Sequence, residues 1–318
     1  MTYLITGGTG SLGSRLVKAL APTASRVIVF SRDEVKQGAL ADAVGHPQHV
    51  NFFLGDVRDY PRLVDAMHGI HTVVHTAALK RVDQVSYNPS EVLQTNILGT
   101  WNVLRAAMAA YVQRVLVISS DKAVHPANVY GASKLMGEFL TIRHNAYSYP
   151  RGTRCSVLRY GNVWGSRGSL PEVFQAQMAA GQALTVTLSS MTRFFVTLPQ
   201  AVGYVQTALD RMDGGEVFVP MLKSWTVGQV ARLFMPNEEQ WQWIAVRPGG
   251  EKQHEQLIAT EEEDRVSSWR PFYCIHPEHS EWREPTRFTP VKLARPYTSQ
   301  NAERVLDEAL VTALAEMT

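Results

Sequence analysis

The sequence predicts an α/β fold, in which a doubly wound parallel sheet is followed by a smaller mixed lobe at the C-terminal end. Through the first half of the 318 residues, short apolar runs alternate with segments of helical periodicity, as in repeated βαβ units. A glycine-rich turn directly follows the first apolar run. After Gly161 the alternation gives way to shorter mixed elements. We therefore expect a sheet domain over residues 1–161 and a lobe over 162–318, segments of which could return to the sheet.

Six apolar runs have the length of strands and the continuous apolar character of a sheet that is covered on both faces. They are Tyr3–Thr6, Arg26–Phe30, Val50–Leu54, Thr72–Thr76, Val115–Ser119 and Ser156–Tyr160. The segments between them have helical periodicity, and each supplies one right-handed crossover. These predicted helices are Ser11–Ala21, Asp33–Val44, Tyr60–Met67, Glu91–Ala110 and Tyr130–Asn145.

The second half of the sequence predicts fewer and shorter elements. We expect a helix that ends at Ala180, a strand over Leu184–Thr187 and a helix near Gln200–Arg211. The tail Ser299–Met317 again has helical periodicity.

Composition and charge exclude several classes of function. Lys and Arg number 31 against 29 Asp and Glu, a net charge of +2, and no basic run indicates a nucleic-acid partner. No apolar run reaches the ~20 residues of a membrane span, and the N-terminus lacks the pattern of a signal peptide. Cys155 and Cys274 lie far apart, and His75, His125 and His254 fall on separate elements, so we predict no metal site. We expect a cytoplasmic protein with no membrane or nucleic-acid partner.

The glycines after the first strand indicate a nucleotide site. Gly7, Gly10 and Gly13 stand at i, i+3 and i+6, where the strand ends and a helix begins. Such glycines permit a tight turn, let the backbone approach a pyrophosphate and bring helix and strand together. An ordinary glycine-rich turn is the structural alternative. The spacing is that of short-chain dehydrogenases/reductases, whose Rossmann sheet binds a nicotinamide dinucleotide.

The end of the second strand favours NADP over NAD. Arg32 and Lys36 stand in the sequence SRDEVK, where a dehydrogenase specific for NAD carries an acidic residue for the ribose hydroxyls. A guanidinium can clamp a 2′-phosphate with two hydrogen bonds, and a lysine adds charge; alternatively, both residues are solvated at a helix start. Further cofactor contacts are expected from the first helical turn, from the ends of the strands and from the fourth crossover helix: Ser11, Leu12, Ser31, Asp56, Val57, Ala77, Ala78 and Asn96.

The predicted catalytic group follows the fifth strand. Ser120, Asp121 and Lys122 end that strand, and Tyr130 and Lys134 share one face of the next helix at i, i+4 spacing. An ammonium near the phenol and a positively charged nicotinamide both favour the phenolate, so Tyr130 is a candidate general base. Ser120 would hold the substrate oxygen.

Asp121 and Lys122 exceed what a simple dehydrogenase needs. If Tyr130 and NADP oxidise an alcohol to a ketone, the neighbouring C–H becomes acidic. Lys122 could then remove that proton while Asp121 protonates a leaving hydroxyl. Oxidation, elimination and re-reduction together make a dehydratase, whereas a surface salt bridge is the structural alternative.

Several segments resemble one known family. These segments are SSDKAVHPANVYGASK, RYGNVWGSRGS, MTRFFVT, RPGGEKQHE, FSRDEVKQ and AALKRVD. They resemble the soluble inverting UDP-N-acetylglucosamine 4,6-dehydratases. These enzymes are close to the CapD-like polysaccharide-biosynthesis proteins of the extended short-chain dehydrogenase/reductase superfamily. The resemblance extends from Gly7 to about Asn301. The additional glycine in Gly249-Gly250 departs from the family's RPGEK, so the sugar stays open.

The resemblance implies a lyase that holds NADP tightly and regenerates it in each turnover. Tyr130 would accept the 4-hydroxyl proton, and Lys134 would bind the nicotinamide ribose. Lys122 would take the 5-proton and Asp121 would release the 6-hydroxyl as water. The implied product is a 4-keto-6-deoxy sugar nucleotide inverted at carbon 5, and the implied assembly is a homo-oligomer. Substrate contacts are expected from Lys80, Asn162, Thr192, Arg193, Arg247 and Glu251.

Other functions stay open at this point. They are a 4,6-dehydratase that retains the configuration, an epimerase or 4-reductase on another NDP-sugar, and a non-catalytic NADP-sensing protein. Long membrane-anchored relatives that retain the configuration carry Met where Tyr130 stands, which favours inversion. The pair Asp121–Lys122 argues against a simple reductase, and an intact Ser120, Tyr130 and Lys134 set argues against a sensor.

Overall fold

The structure, a computed structural model, describes residues 1–149, 152–245, 250–282 and 289–304. Its strands in chain order are β1 (Thr2–Thr6), β2 (Arg26–Ser31), β3 (Val50–Leu54), β4 (Thr72–His75), β5 (Arg114–Ser120), β6 (Arg154–Tyr160), β7 (Asn162–Val163), β8 (Leu184–Val186), β9 (Thr192–Val196), β10 (Val217–Pro220), β11 (Ser224–Thr226), β12 (Trp241–Trp243), β13 (Val266–Trp269) and β14 (Phe272–Ile275). Its α-helices are α1 (Ser11–Leu20), α2 (Glu34–Val44), α3 (Tyr60–Met67), α4 (Val82–Val85), α5 (Pro89–Val92), α6 (Gly99–Ala109), α7 (Val129–Ser148), α8 (Leu170–Ala179), α9 (Leu198–Arg211) and α10 (Val227–Phe234). A π-helix, Leu93–Leu98, joins α5 to α6, and 3-10 turns span Asp121–Ala123, Glu238–Gln240 and Thr260–Arg265.

The central sheet has nine strands within the described residues, in the order β13-β14-β10-β6-β5-β4-β1-β2-β3. The strands from β10 to β3 in this order pair in parallel, whereas β14 pairs antiparallel with β10 and with β13. From β1 the chain adds β2 and β3 on one side of β1, and then crosses over to add β4 on the other side. The loops after β1 and β4 therefore border a crevice at this switch point. The predicted doubly wound parallel α/β sheet is confirmed.

Helices cover both faces of this sheet. Successive side chains of one strand point to opposite faces, so Ile5 joins the apolar cluster under α1 and α9, while Leu4 joins the cluster under α3 and α6. Both side chains are fully buried. This two-sided burial explains why the strands are continuous apolar runs in the sequence.

Segments from the second half of the chain complete the sheet and build a smaller lobe. β10 extends the parallel part, and the hairpin β13–β14 adds two antiparallel strands from a region that the sequence left unassigned. The sheets β11-β9-β7 and β12-β8 lie apart from it, beside an apolar cluster that includes Trp164, Phe174, Trp225 and Trp241. The division of the chain at residue 161 stays a prediction.

Two predicted helices differ from the structure. The helix predicted over Glu91–Ala110 is interrupted by the π-helix Leu93–Leu98. The tail helix is wrong over residues 299–304, which form turns and bridges, because the N–H of Ser299 donates to the carbonyl of Glu255 at 2.7 Å. The rest of the predicted tail helix lies outside the described residues.

A buried ion network fastens α7 to the sheet. Arg159 on β6 is only 2% exposed, and its NH2 lies 2.6 Å from Oε2 of Glu138 on α7. Its NH1 lies 2.8 Å from Oε2 of Glu262 in the last 3-10 turn. Because both carboxylates bind the same guanidinium, the network joins β6, α7 and the turn before β13.

Substitution of Arg159 by Met should lower the free energy of unfolding by about 3–5 kcal/mol, because Glu138 would stay buried without its counterion. Arg154→Met on the same strand is the matched control. Arg154 and its partner Asp213 are both 53% exposed, and loss of an exposed pair costs about 0–1 kcal/mol. Urea unfolding followed by tryptophan fluorescence measures both variants. Equal effects would contradict a stabilising role of the buried network.

Candidate active site

The turn after β1 forms a closely packed cradle of backbone. Gly7 has a φ of +64°, and a Cβ there would lie 2.8 Å from Cα of Ala77 in the loop after β4. A Cβ on Gly13 would lie 2.4 Å from the carbonyl oxygen of Gly7, which also accepts a hydrogen bond from the N–H of Gly10 at 2.8 Å. Glycine at 7 lets the turn pack directly against the loop after β4, and glycine at 13 lets α1 pack against the turn. The N-terminus of α1, which attracts phosphate, therefore begins directly at this turn.

A cleft of about 330 Å³ opens beside this cradle, where the strand order reverses. Ser11, Leu12 and Gly13 form the adjoining first turn of α1. The open backbone and the cations at its border fit a nicotinamide dinucleotide. Nine residues predicted to bind the cofactor line the cleft: Gly7, Gly10, Ser31, Arg32, Lys36, Asp56, Val57, Ala77 and Ala78.

The two cations predicted to select NADP are both paired with carboxylates. Arg32 NH1 lies 3.3 Å from Oδ2 of Asp56. Lys36 pairs with Asp33, whose side chain also caps α2 by accepting the Lys36 N–H at 3.0 Å. A 2′-phosphate would therefore compete with these carboxylates for the cations.

A third cation at this cleft, Arg167, comes from the loop after β7. Its NH2 donates to the carbonyl oxygen of Thr9 at 2.6 Å, and its backbone N–H donates to Oγ of Ser11 at 3.2 Å. Arg167 thus joins the C-terminal lobe to the glycine turn. The sequence analysis missed it, although it lies in the segment RYGNVWGSRGS, because nothing in its spacing relates it to the first strand.

Asn96 orders the loop after β4 from within the π-helix. Its Oδ1 accepts the N–H of Leu79 at 2.8 Å, and its Nδ2 donates to the Leu79 carbonyl at 2.9 Å. The same Nδ2 donates to Oγ of Ser133 on α7 at 3.0 Å. A π-turn re-aims side chains within a helix, and here it places one amide between the cleft loop and the helix that carries Tyr130.

Ser120, Asp121 and Lys122 form a compact acid–base group at the end of β5. The Ser120 hydroxyl donates to Oδ1 of Asp121 at 2.9 Å, and Nζ of Lys122 lies 2.9 Å from the same oxygen. Asp121 is fully buried, whereas 23% of the Lys122 side chain is exposed. Burial raises the pKa of Asp121. Burial lowers the pKa of Lys122, but the charges of Asp121 and Glu255 outweigh it, so the net pKa is raised. The group therefore pairs an inner carboxyl, whose pKa burial raises, with an ammonium that reaches solvent.

Tyr130 and Lys134 lie next to this group on α7. Burial raises the pKa of Tyr130, although the charge of Lys122 and a hydrogen bond with Ser120 lower it. The expected effect of an ammonium on the phenol has the predicted direction for Lys122, but burial outweighs it. Nζ of Lys134 donates to the carbonyl of Ile118 at 2.8 Å, and burial lowers its pKa to about 8.

Glu255, which is not among the predicted site residues, belongs to the same group. Its side chain is 3% exposed, and Oε1 lies 3.4 Å from Nζ of Lys122 and 4.0 Å from Nε of Arg193. Oε2 lies 3.4 Å from Nζ of Lys252. Burial raises the pKa of Glu255, but the charges of Lys122, Arg193 and Lys252 outweigh it, so the net pKa is lowered. The motif RPGGEKQHE contains this residue, but its spacing gives no reason to place it beside Lys122.

Of the predicted substrate residues, Asn162 borders the catalytic group and Lys80 lies beside the loop after β7. Oδ1 of Asn162 accepts a hydrogen bond from Nζ of Lys122 at 3.2 Å. Nζ of Lys80 donates to Oγ of Ser166 at 3.4 Å, and burial lowers the pKa of Lys80. Asn162 can thus orient the amine of Lys122, and Lys80 lies beside the loop that carries Arg167.

The other predicted substrate residues are engaged within the protein. Oγ1 of Thr192, which is fully buried, bonds to His254 at 2.8 Å and to Ser299 at 2.7 Å. Arg193 is 5% exposed and binds Glu251 at 2.8 Å. The substrate contacts expected of Thr192, Arg193 and Glu251 stay a prediction. Arg247 lies outside the described residues.

The described residues contain no helix with the length and apolar character of a membrane span, and no group of three or more His, Cys, Asp or Glu side chains that could hold a metal ion. His75 is buried, bonds to Thr6 at 2.7 Å and to Thr100 at 3.0 Å, and has its pKa lowered to about 3 by burial. It is therefore a neutral residue of the core.

Comparison with known proteins gives relatives over most of the chain. A family model described as "Polysaccharide biosynthesis protein" matches residues 3–277. The UDP-N-acetylglucosamine 4,6-dehydratase (inverting) of Campylobacter jejuni is 39% identical over 277 residues, which cover 86% of this chain and 82% of the relative. A UDP-glucose 4-epimerase of Rickettsia rickettsii is 37% identical over 316 residues, which cover 96% of this chain and 92% of the relative.

Solved structures share the fold. Pen from Bacillus thuringiensis has a TM-score of 0.90 at 33% identity, over 99% of this chain and 98% of that chain. DesIV, a dTDP-glucose 4,6-dehydratase from Streptomyces venezuelae solved with NAD bound, has a TM-score of 0.72 at 23% identity, over 79% of this chain and 86% of that chain. The resemblance inferred from the motifs is confirmed. The chain belongs to the polysaccharide biosynthesis protein family, on an extended short-chain dehydrogenase/reductase fold.

Proposed function

We propose that the protein is a nucleotide-sugar 4,6-dehydratase, a hydro-lyase that acts on UDP-N-acetylglucosamine and inverts carbon 5. The observation that carries this proposal is the contact of Asp121 with Lys122 at 2.9 Å, beside Tyr130. An elimination needs a base and an acid in addition to the group that takes the first hydroxyl proton. The 39% identity to an inverting dehydratase supports the same choice.

Tyr130 starts the reaction by accepting the proton of the 4-hydroxyl, which Ser120 helps to orient. The chemistry that bound NADP supplies is storage of the carbon-4 hydride and its return to carbon 6. A positive nicotinamide charge near Tyr130 would offset the burial that raises its pKa. Lys134, held by the carbonyl of Ile118, is placed to bind the nicotinamide ribose.

Asp121 and Lys122 carry out the elimination. Before the elimination, the Lys122 ammonium passes one proton to the Asp121 carboxylate 2.9 Å away, which gives the neutral amine and the protonated carboxyl that the step needs. The amine of Lys122 then takes the proton from carbon 5, and the electrons of that C–H bond form the double bond to carbon 6. The carbon–oxygen bond at carbon 6 breaks, and the Asp121 carboxyl gives its proton to the departing hydroxyl, which leaves as water. Afterwards Lys122 is an ammonium and Asp121 a carboxylate, the ion pair that lies 2.9 Å apart in the resting site.

NADP, tightly bound and regenerated in each turnover, is the proposed cofactor, with NAD the less favoured alternative. Arg32, Lys36 and Arg167 all line the cleft. Three cations around one 2′-phosphate would outweigh the carboxylates of Asp33 and Asp56 that now pair with Arg32 and Lys36.

A 4-epimerase is the second candidate, because the Rickettsia relatives that cover 96% of this chain carry that name. An epimerase would need Tyr130 and the cofactor but would leave oxygen on carbon 6. The pair Asp121–Lys122 would then have no proton to move. Retention at carbon 5, a 4-reductase and a non-catalytic NADP sensor stay as further alternatives.

The protein is also proposed to form a homo-oligomer through α7. Met136, Phe139 and Tyr147 are 46%, 62% and 57% exposed and recur at helical spacing along one side of the helix. Large apolar side chains on one exposed helix face are typical of a contact between subunits. The cytoplasmic location stays a prediction.

Turnover in heavy water distinguishes the candidate reactions. With UDP-N-acetylglucosamine, the holoenzyme should form a 4-keto-6-deoxy product that carries deuterium at carbon 5 and inverted ring couplings by proton NMR. Retained couplings would indicate the retaining dehydratase, and a change at carbon 4 with oxygen kept on carbon 6 would indicate the epimerase. An unchanged spectrum would contradict the proposed substrate.

Two substitutions should separate the chemical steps. Tyr130→Phe should stop the initial oxidation, and Lys122→Ala should stop deuterium entry at carbon 5; each should lower turnover by about 100- to 10,000-fold, as for the loss of a general base. Lys223→Ala is the control, because that lysine is 56% exposed and pairs with Glu303. Deuterium entry at the wild-type rate in Lys122→Ala would refute the assignment of the base.

Arg167→Leu should weaken NADP binding by about 10- to 100-fold, as expected for one charge-assisted contact, and should weaken NAD binding much less. Calorimetry of the cofactor-free protein with each dinucleotide measures the ratio. Arg232→Leu, which removes an exposed pair with Glu238, is the control. Equal losses for NADP and NAD would exclude contact of Arg167 with the 2′-phosphate.

Phe139→Asp should convert the oligomer to monomers, because it places a charge in the apolar face of α7. Sedimentation velocity measures the mass, with Met178→Asp on α8, 44% exposed, as the control. A wild-type monomer, or an unchanged assembly in Phe139→Asp, would refute this interface.

A further inference from the structure

Lys122 lies between two buried carboxylates of different character. Oδ1 of Asp121 is 2.9 Å from its Nζ and Oε1 of Glu255 is 3.4 Å away. Asp121 receives its other contact from the neutral hydroxyl of Ser120, and its Oδ2 accepts no hydrogen bond from the described residues. Glu255 is surrounded by the cations of Arg193 and Lys252 in addition to Lys122. Of the two carboxylates, Asp121 can therefore take up a proton, whereas Glu255 stays an anion.

The backbone holds Glu255 in this place from both sides. Its N–H donates to Oγ of Ser299 at 2.9 Å, and its carbonyl accepts the N–H of Ser299 at 2.7 Å. The neighbouring His254 pairs in a bridge with Thr192 at the start of β9. Four segments that are distant in the chain thus bring one carboxylate to the ammonium of Lys122: the turn after β5, β9, residues 251–255 and Ser299.

The proposed dehydration gives Glu255 a task that Asp121 cannot perform. When Lys122 takes the carbon-5 proton it becomes an ammonium, and at that moment Asp121 must still carry the proton destined for the leaving hydroxyl. A neutral Asp121 offers little stabilisation to the new charge. A second carboxylate that stays ionised can do so, and Glu255 lies 3.4 Å from the amine of Lys122.

We propose that Glu255 is a positioning residue for Lys122, whose constant negative charge holds the ammonium formed on proton abstraction while Asp121 remains the acid. This inference rests on the proposed function. No atoms are exchanged with Glu255: the proton moves from carbon 5 to the nitrogen of Lys122, and the carboxylate contributes only its charge and its place. The charged and titratable groups that face it are Lys122, Asp121, Arg193 and Lys252, with Glu251 bound to Arg193.

The pH dependence of turnover tests the charge of Glu255. Asp121 and Lys122 titrate as a pair, so the rate should follow a bell with two apparent pKa values. Glu255→Gln should move both limbs of the pH–rate curve to lower pH by about one unit or more, because a nearby anion raises the pKa of Asp121 and of Lys122. It should also lower the maximal rate by about 10- to 100-fold. Glu255→Asp keeps the charge and should leave the bell at the wild-type pH, even where its rate is lower.

Glu261→Gln is the matched control. It removes one negative charge from an exposed pair with His125 near Glu255 in the chain and should leave the bell unchanged. The proposal would be refuted if the pH–rate curve of Glu255→Gln stayed at the wild-type pH. It would also be refuted if the curve of Glu255→Asp shifted by the same amount, because a merely structural effect would shift both curves alike.

A measurement without substrate separates this proposal from the proposed function. The ¹³C signal of the Lys122 ε-carbon can be titrated in the holoenzyme, after assignment with Lys122→Ala. Glu255→Gln should lower the pKa of Lys122, and an unchanged titration would refute the pairing. If the wild-type protein fails to convert UDP-N-acetylglucosamine, the proposed function fails, and this titration alone decides whether Glu255 controls the charge of Lys122.

Discussion

Parallel pairing of β1, β4, β5 and β6 is the constraint on which the site depends. Parallel strands end at the same edge of a sheet, so every loop that follows them opens on the same side. Groups that are distant in the sequence therefore lie at the same edge. They are the glycine turn after β1, Ala77 after β4, the Asp121–Lys122 pair after β5 and Asn162 after β6. Fully apolar strands and helices on both faces are the consequence, because such a sheet has no face left for water.

Two buried ion networks within the described residues differ in what burial does for them. Arg159 binds two carboxylates with short, paired contacts on its guanidinium, so its network is closed and its function is to fasten α7. The group around Lys122 is not closed in this way, because Oδ2 of Asp121 accepts no hydrogen bond within the described residues and Lys122 remains partly exposed. Such incomplete satisfaction is costly for stability and is typical of functional sites. Burial raises the pKa of both carboxylates, but the cations around Glu255 outweigh it there, so the net pKa shifts of Asp121 and Glu255 have opposite directions.

The sequence predicts features that depend on neighbouring residues, and it does not predict those that depend on contacts between residues far apart in the chain. The first six strands and the glycine turn follow from local periodicity and from backbone sterics, and Tyr130 and Lys134 follow from helical spacing. The π-helix over Leu93–Leu98 could not be predicted, because it depends on bonds from Asn96 to Leu79 and Ser133 in other elements. The tail fails for the same reason: Ser299 pairs with Glu255, and this long-range contact outweighs the helical periodicity of the sequence. Thr192 and Arg193 stand in a motif that predicts ligand contacts, and this stays a prediction. Their bonds to Ser299 and Glu251 could not be predicted, because these partners are distant in the chain.

Arg167 and Glu255 could not be predicted from the sequence for the same reason: both are distant in the chain from the residues that they contact. The same position in the chain links their roles. Each belongs to the second half of the chain, and each reaches into a part of the site built by the first half: Arg167 to Thr9 at the glycine turn, Glu255 to Lys122 after β5. Among the described residues, the first half holds the glycine turn and the Asp121–Lys122 pair, whereas Glu255, the ionised carboxylate beside Lys122, comes from the second half. The loop of Arg167 borders the cofactor cleft, and the segment of Glu255 carries the counterion of Lys122; both belong to the C-terminal half. Displacement of that half would therefore expose the cleft. It would also remove the charge that is proposed to support proton abstraction. Retention of the cofactor and readiness for elimination would thus depend on the same packing.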